Sequence, residues 1–380
     1  MNPAPDLNTL SHALLPCWLM KRRHLLLTGA SAAALAACSD RPEPSATASG
    51  TATRVQWRMA TSWPPDSPGL SASAARLAAR IGAASGGRIQ IDVSDANEVV
   101  PPFGVLDAVA EGTVQMGHSA AYYWQSRLPA APFFCTIPFG MRADEISAWF
   151  QTGNGLAFWE ELYAPLGVLP IPCGNTGVQT AAWSNREIAS LEDLQGLKIR
   201  IPGLGAAVLS KLGAQPLAVP GTQLLQALRG GQIDAAEWLA PMNDLAFGLH
   251  RVARYCYYPG WQEPGAVLEC LLHKPSFDAL SADLQTIIRA CCAEEYERCR
   301  VEFQRGNVEA LKTLSDTFKT EFRRLPDSVS EALRRASTRV LDELAARDAF
   351  AARVLADYRA FQQALGPWRS MSETAYEQIR

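Results

Sequence analysis

Four polar residues stand among apolar runs between Gly174 and Gly265: Gln179, Arg200, Glu237 and Glu263. They occur in Gly174-Asn-Thr-Gly-Val-Gln179, Leu197-Lys-Ile-Arg-Ile-Pro-Gly203, Ala235-Ala-Glu-Trp238 and Pro259-Gly-Trp-Gln-Glu-Pro-Gly265, each beside a Trp, Pro or Gly at the expected end of a strand. An arginine inside Leu-Lys-Ile-Arg-Ile is expected to be half buried, and a guanidinium withdrawn from water needs an anionic partner. Two carboxylates and an amide oxygen are ligands for a hard cation. The residue types point to a pocket for a small carboxylate with a metal ion beside it. The competing structural readings are a core ion pair for Arg200 with Glu237 and a turn cap for Glu263. No His or Lys accompanies the four, so the group lacks a general base for turnover. His118, after Gly117 at the end of a strand, is read as a satisfied polar residue with no assigned role.

An internal repeat supplies the elements that must position these groups. Pro101–His118 aligns without gaps on Pro220–Glu237 over eighteen residues, with Pro, Leu, Ala and Gly at common offsets. Each copy reads as a turn, a short helix, a Gly stop and a strand. A strand-like run precedes each, Arg88–Val93 and Ala214–Val219. Val55–Met59, Leu169–Pro172, Leu197–Ile201 and Val267–Leu272 are further strands, and Pro68–Ala84 is a helix with Leu70, Ala74, Leu77, Ala78 and Ile81 on one face. Strands alternating with helices predict an α/β fold of two related lobes. Ligands of such sheets lie at the carboxyl ends of strands, where Gln179, Arg200 and Glu237 fall, and the cleft between lobes is the expected site.

Beyond Lys274 the pattern is helical. Ser281–Ser315 forms one stretch with a break expected near Gly306. Ser328 with Glu331 forms a capping box, and no Gly or Pro follows until after Leu365. Unbroken, that helix would run roughly 55 Å at ~1.5 Å per residue. Its stripe of Leu333, Val340, Leu341, Leu344, Val354, Leu355, Tyr358 and Phe361 either kinks around the lobes or reaches a second subunit.

The first 37 residues read as an export signal. Lys21-Arg-Arg-His precedes an apolar stretch, Leu25–Ala37, that is too short to span a membrane and suits a signal core. The paired arginines match a twin-arginine signal. Leu35-Ala-Ala-Cys38 has the form of a lipobox, which places a lipid on Cys38; the alternative is ordinary signal cleavage with Cys38 incidental. Met20 is a natural start, which makes 1–19 a start-site extension. Residues 38–53 are a flexible tether of Ser, Thr, Ala, Pro and Gly. Loss of 1–37 removes three cations and one anion and moves the net charge from -3 to -5. With no basic stripe, nucleic acid is excluded as a partner. Seven cysteines follow Cys38, an odd number with no zinc-like spacing, and most are expected as small buried hydrophobes.

These stretches, with Val99-Val-Pro-Pro-Phe103, Ala120-Ala-Tyr-Tyr-Trp124 and Asn243-Asp-Leu-Ala-Phe247, follow an order that resembles the solute-binding proteins of TRAP transporters, the DctP-like family, and within it the branch that binds 2-oxo acids. The resemblance covers the chain from about Trp57 to the end. It implies a two-lobed periplasmic-binding-protein fold with mixed sheets, crossing hinge strands and a long C-terminal helix used for a homodimer. Lobe I is expected over about 54–150 plus 243–300, lobe II over about 151–242, and C-terminal helices over about 301–380. It implies Arg200 as the partner of the ligand carboxylate. Gln179, Glu237, the carbonyl of Trp238 and Glu263 are implied around a cation, sodium or calcium, with no catalytic cofactor. Asn175 and Tyr123, with Tyr122 as substitute, would lie at the ligand's polar end; Trp183 and Phe103 would wall its apolar side; Asn243 completes the set. The implied partners are a small organic acid such as pyruvate and the membrane permease subunits, with the membrane met only through the lipid anchor. Two other readings remain open at this level: a periplasmic metal-dependent oxo-acid enzyme, and a protein presenting its ligand to a sensor.

Overall fold

The computed structural model describes residues 54–219 and 221–380. The twin-arginine segment, Cys38, the tether and Pro220 lie outside the described residues. Eleven strands are present among them: β1 Val55–Thr61, β2 Ile89–Ser94, β3 Met116–Ser119, β4 Val168–Asn175, β5 Ala182–Ser184, β6 Lys198–Arg200, β7 Gln215–Leu217, β8 Ala235–Ala236, β9 Tyr255–Tyr258, β10 Val267–His273 and β11 Glu321–Arg324. They form two sheets, ordered β2-β1-β3-β10-β4 and β11-β9-β5-β8-β6-β7.

The repeat emerges as matching topology. In the first sheet β1 pairs in parallel with β2 and β3; in the second β6 pairs in parallel with β7 and β8. The repeat helices Val105–Ala110 and Leu224–Arg229 begin at aligned positions, as do β3 and β8. Outside each parallel triplet lie two antiparallel strands, β10 then β4 in one sheet and β5 then β9 in the other. The chain therefore crosses from β4 to β5 and returns from β9 to β10, and these crossings are the hinge.

Sheet membership departs from the expected lobe boundaries. Residues 168–175 belong to the first sheet, and 255–258 with 321–324 to the second. The reason is the crossing itself: hydrogen bonding groups β4 with β10 and β9 with β5, so consecutive strands fall in different sheets. Helix Ala282–Asp316 runs unbroken for 35 residues. Its Gly306 is a contact point: a Cβ there would stand 2.2 Å from Met242 Sδ, in helix Pro241–Phe247. Lack of a side chain serves close helix approach at this position, and the helical hydrogen bonds continue through it.

The expected single C-terminal helix is two, Asp327–Arg347 and Ala349–Met371. The break falls on Asp348, whose φ of -136° and ψ of 113° are extended and whose carboxylate accepts from Ala351 N at 2.7 Å. It is an N-cap that no Gly or Pro announces. The helices fold back on each other, with Arg359 and Asp342 paired at 2.7 Å. The Ser328–Glu331 capping box does not form, because the first helix starts at Asp327 behind Pro326. From Leu333 to Tyr358 the apolar stripe is buried within this chain, so it gives no argument for a second subunit. Tyr358 sits on Trp149 at 5.1 Å and accepts from Met141 N at 2.6 Å. All seven described cysteines are buried and unpaired, as small apolar side chains.

Removing the Tyr358 hydroxyl leaves a buried amide donor without a partner. Tyr358→Phe is expected to cost about 1–2 kcal/mol of stability, read as a lower denaturant midpoint at unchanged slope; an unchanged midpoint would show that water replaces the bond.

Candidate functional site

Arg200 ends β6 beside β8, in register with Ala236, which directs its side chain toward Glu237. Nη1 donates to the Glu237 carbonyl at 2.6 Å and to Glu237 Oε2 at 3.1 Å, and Nε donates to the Val219 carbonyl at 3.4 Å. The guanidinium lies over the Trp238 ring, 5.3 Å from its centroid. Among the described residues Nη2 has no hydrogen-bond partner, so the fork keeps a donor for a ligand anion.

The two crossing segments meet at this point. Gln179 follows β4, and Glu263 lies in the Pro259–Gly265 loop before β10. Gln179 N donates to the Glu263 carbonyl at 3.2 Å, and Gly260 N donates to the Gln179 carbonyl at 2.9 Å. A Cβ on Gly260 would stand 2.4 Å from that carbonyl oxygen, so only glycine permits the approach. The stitching sets Gln179 Nε2 against Glu263 Oε2 at 2.7 Å. Burial raises both carboxyls above their ordinary range; the Glu263 charge pushes Glu237 further up, while Arg200 opposes the shift at each. Glu237 Oε1, Gln179 Oε1 and Gln262 Oε1 are buried with no hydrogen-bond partner. Two buried acids facing one guanidinium, with orphaned amide and carboxylate oxygens, fit a hard oxygen-seeking cation. Among the described residues no three His, Cys, Asp or Glu side chains cluster as a metal site, so such a cation would draw on amide or carbonyl oxygens as well.

The first lobe supplies the facing wall. Trp63, Phe103, Tyr122 and Tyr123 line a cleft of about 690 Å³, partly open to solvent, together with Thr176, Gln179, Arg200, Thr222 and Trp238 from the hinge and second lobe. Tyr123 lies 4.9 Å from Phe103 and 4.8 Å from Tyr122, ring to ring. Burial pushes the Tyr123 phenol up to about 12, against the nearby Arg200 charge, so it stays a protonated donor.

Of the residues singled out by sequence, Phe103, Tyr123, Gln179, Arg200 and Trp238 thus converge on the cleft, with Glu237 and Glu263 buried behind it. Three do not line it. Asn175 donates to the Gly265 carbonyl and to Tyr296 OH, both at 3.2 Å, and accepts from Gly177 N at 2.8 Å, so it staples the hinge. Trp183 is fully buried under the second sheet with its indole N–H on Asp244 Oδ2 at 2.7 Å. Asn243 donates to the Pro68 carbonyl at 2.7 Å. Trp63 is among the lining residues that the sequence reading missed, with Thr176 and Thr222.

The sequence model of bacterial extracellular solute-binding protein, family 7 (DctP), matches residues 59–348. The chain belongs to this family. This DctP-family protein is similar to a monocarboxylate 2-oxoacid-binding periplasmic protein of Nostoc sp., 37% identical over 361 residues, 94% of this chain and 98% of the relative. It is similar in structure to a TRAP periplasmic solute-binding protein of Colwellia psychrerythraea with bound calcium and pyruvate, at TM-score 0.84 and 35% identity over 86% of this chain and 100% of that one. A counterpart from Pseudoalteromonas atlantica with bound sodium and pyruvate gives 0.83 and 37% over 86% and 99%. A TRAP solute-binding protein of Bordetella bronchiseptica, a mixed-occupancy dimer with copurified calcium and picolinate, gives 0.84 and 33% over 86% and 97%.

In this DctP-family protein a further acid lies beneath the wall. Glu269, on β10, accepts from Trp124 Nε1 at 2.6 Å and from Tyr163 OH at 3.0 Å, and burial pushes its carboxyl up to about 8. Between its ordinary value of 4.5 and about 8 the folded protein holds a proton that the unfolded chain has lost. Its contribution to stability is therefore complete below pH 4.5 and is lost as pH rises toward 8, by at most about 1.4 kcal/mol per pH unit. Glu269→Gln is expected to flatten the fall of Tm between pH 5 and 8 relative to wild type. Parallel Tm curves for the two proteins would show that Glu269 is charged when folded.

Proposed function

We propose that the protein is an extracytoplasmic receptor that captures a small 2-oxo monocarboxylate together with sodium or calcium and delivers it to TRAP membrane subunits. The observation that carries this reading is the unfinished electrostatics of the cleft floor: two buried carboxyls, one guanidinium with a free Nη2, and orphaned oxygens on Glu237 and Gln179. The Arg200 fork would take the ligand carboxylate. Gln179, Glu237, Glu263 and the Trp238 carbonyl would hold the cation, which supplies the positive charge that the acids lack. Pyruvate and picolinate, bound by relatives, each set a second donor atom beside a carboxylate, a pair that one cation can chelate. Tyr123 remains a neutral donor at the same end. Lining from both lobes means that a ligand favours the closed arrangement in proportion to its contacts with both.

The protein acts by binding without turnover in this reading. Its support is that the matched family and relatives are solute-binding proteins; His118 lies fully buried against Trp63. We further propose twin-arginine export to the periplasm and a lipid anchor on Cys38, on the residues of the N-terminal segment alone. A homodimer is proposed through the chain end, where Trp368, Met371, Tyr376 and Ile379 are exposed at 60% or more, an apolar set unlike an ordinary soluble surface; the dimeric Bordetella relative is consistent with this.

Calorimetry with pyruvate tests the reading, in sodium or calcium, in potassium, and with a chelator. Arg200→Lys keeps the charge but loses the planar fork, and is expected to weaken binding by about 2 kcal/mol, roughly thirtyfold. Glu237→Gln removes one anionic oxygen, so its residual affinity is expected to depend more steeply on cation concentration. Equal pyruvate affinity for Glu237→Gln and wild type under every ionic condition would return Glu237 to a structural ion pair, and consumption of pyruvate by pure protein would overturn binding without turnover.

A further inference from the structure

Beneath the aromatic wall lies a histidine that the carboxylate chemistry does not use. His118 is fully buried near the end of β3, and its Nδ1 accepts a hydrogen bond from Trp63 Nε1 at 2.7 Å. Burial, aided by the Arg76 charge, pushes the ring's pKa down to about 3, so it stays neutral. Because Nδ1 accepts, the ring proton sits on Nε2, which has no partner in its buried position. The backbone on either side of the indole is tied down separately. Trp63 O accepts from Ala96 N at 3.0 Å, and Ser62 N donates to the His118 carbonyl at 3.1 Å. What His118 adds is the orientation of the indole.

The repeat gives this pair its meaning. The ungapped alignment places His118 on Glu237; His118 lies near the end of β3, and Glu237 directly follows β8, each the third strand of a parallel triplet. Each holds a cleft-lining side chain near the end of its triplet's central strand: Glu237 holds Arg200, the last residue of β6, and His118 holds Trp63, two residues beyond β1. One lobe thus presents a charged head site and the other an aromatic plate. Trp63 lies 6.3 Å from Tyr123, which continues the plate to Phe103. Leu70 and Leu268 add aliphatic lining to the same cleft, so the surface beside the plate is apolar.

We infer that His118 is a positioning residue for ligand selectivity: it sets the Trp63 indole against the ligand's tail, so that the receptor favours 2-oxo acids with branched or aromatic tails over pyruvate. This inference rests on the proposed 2-oxo acid reading of the head site. A tail that packs on an oriented plate gains affinity, at about tenfold or more for each well-placed methylene-sized increment. A plate free to turn offers the same atoms without the shape.

The test compares Kd for pyruvate and for 4-methyl-2-oxopentanoate, by calorimetry in saturating sodium or calcium, across wild type, His118→Leu, His118→Asn and Trp63→Leu. Wild type is expected to bind the branched acid at least tenfold more tightly. His118→Leu removes the acceptor and is expected to collapse that ratio about tenfold, with a shift in indole fluorescence on ligand addition. His118→Asn sets Oδ1 where Nδ1 stands and is expected to restore most of the ratio, which a merely structural role would not produce. Trp63→Leu removes the plate and is expected to collapse the ratio, and it decides the matter if His118→Leu does not fold. A wild-type ratio near one, or a ratio unmoved in His118→Leu or in Trp63→Leu, overturns the inference while leaving the head site standing. Failure of wild type to bind either acid overturns the 2-oxo acid reading and this inference with it.

Discussion

The structure depends on an imbalance of buried charge. Glu237 and Glu263 share the floor of the cleft with a single guanidinium, and burial holds both carboxyls above their ordinary range. A buried carboxylate costs several kcal/mol unless partners meet it. Here the protein meets only part of that demand: Arg200 and Gln179 take one oxygen of each acid, and Glu237 Oε1 remains without a partner. The missing stabilisation is what a cation and an anion brought together would supply. In the proposed reading, a site built this way would bind the pair better than either member alone.

The same atoms are also the hinge. Gln179 and Glu263 sit on the two segments that cross between the sheets, joined through Gln179 N with the Glu263 carbonyl and Gly260 N with the Gln179 carbonyl. Asn175 secures the crossing against the long helix through Tyr296 OH. A change in crossing geometry therefore displaces oxygens of the charged floor, and filling that floor restrains the crossing. If these residues hold the ligand as proposed, binding and lobe closure would be linked by shared residues, with no separate transmitting element required.

Sequence reading recovered the parts of the fold that carry strong local pattern. Six of the strands have apolar runs or alternation, and the repeat identified two related lobes before any contact was seen. It did not recover β5, β9 or β11, three or four residues each, because so short a strand exists through its neighbours rather than its own pattern. The break at Asp348 was hidden since a capping carboxylate looks like any helix-surface acid, and Gly306 misled since its role depends on Met242, 64 residues away in sequence. In the candidate site, the meeting of Arg200 with Glu237 and of Gln179 with Glu263 was legible because charged groups in apolar runs are rare enough to demand partners. Asn175 and Trp183 were misplaced for the converse reason: a polar atom that must be satisfied when buried can find its partner anywhere, and theirs are the hinge and Asp244.

A repeated architecture need not give a symmetric cleft, and here the departure lies in two positions. The equivalent sites at 118 and 237 hold a neutral ring and a carboxyl, and their partners are an indole and a guanidinium. Each second member follows from its first: a carboxyl in the interior needs a cation, whereas a neutral imidazole nitrogen needs only an N–H, which an aromatic side chain can bring without charge. In the proposed reading, head and tail recognition then sit on different lobes, whose residues line one cleft. Under that proposal closure would report the whole ligand: the charged floor would answer to its carboxylate end, and the aromatic wall to everything beyond it.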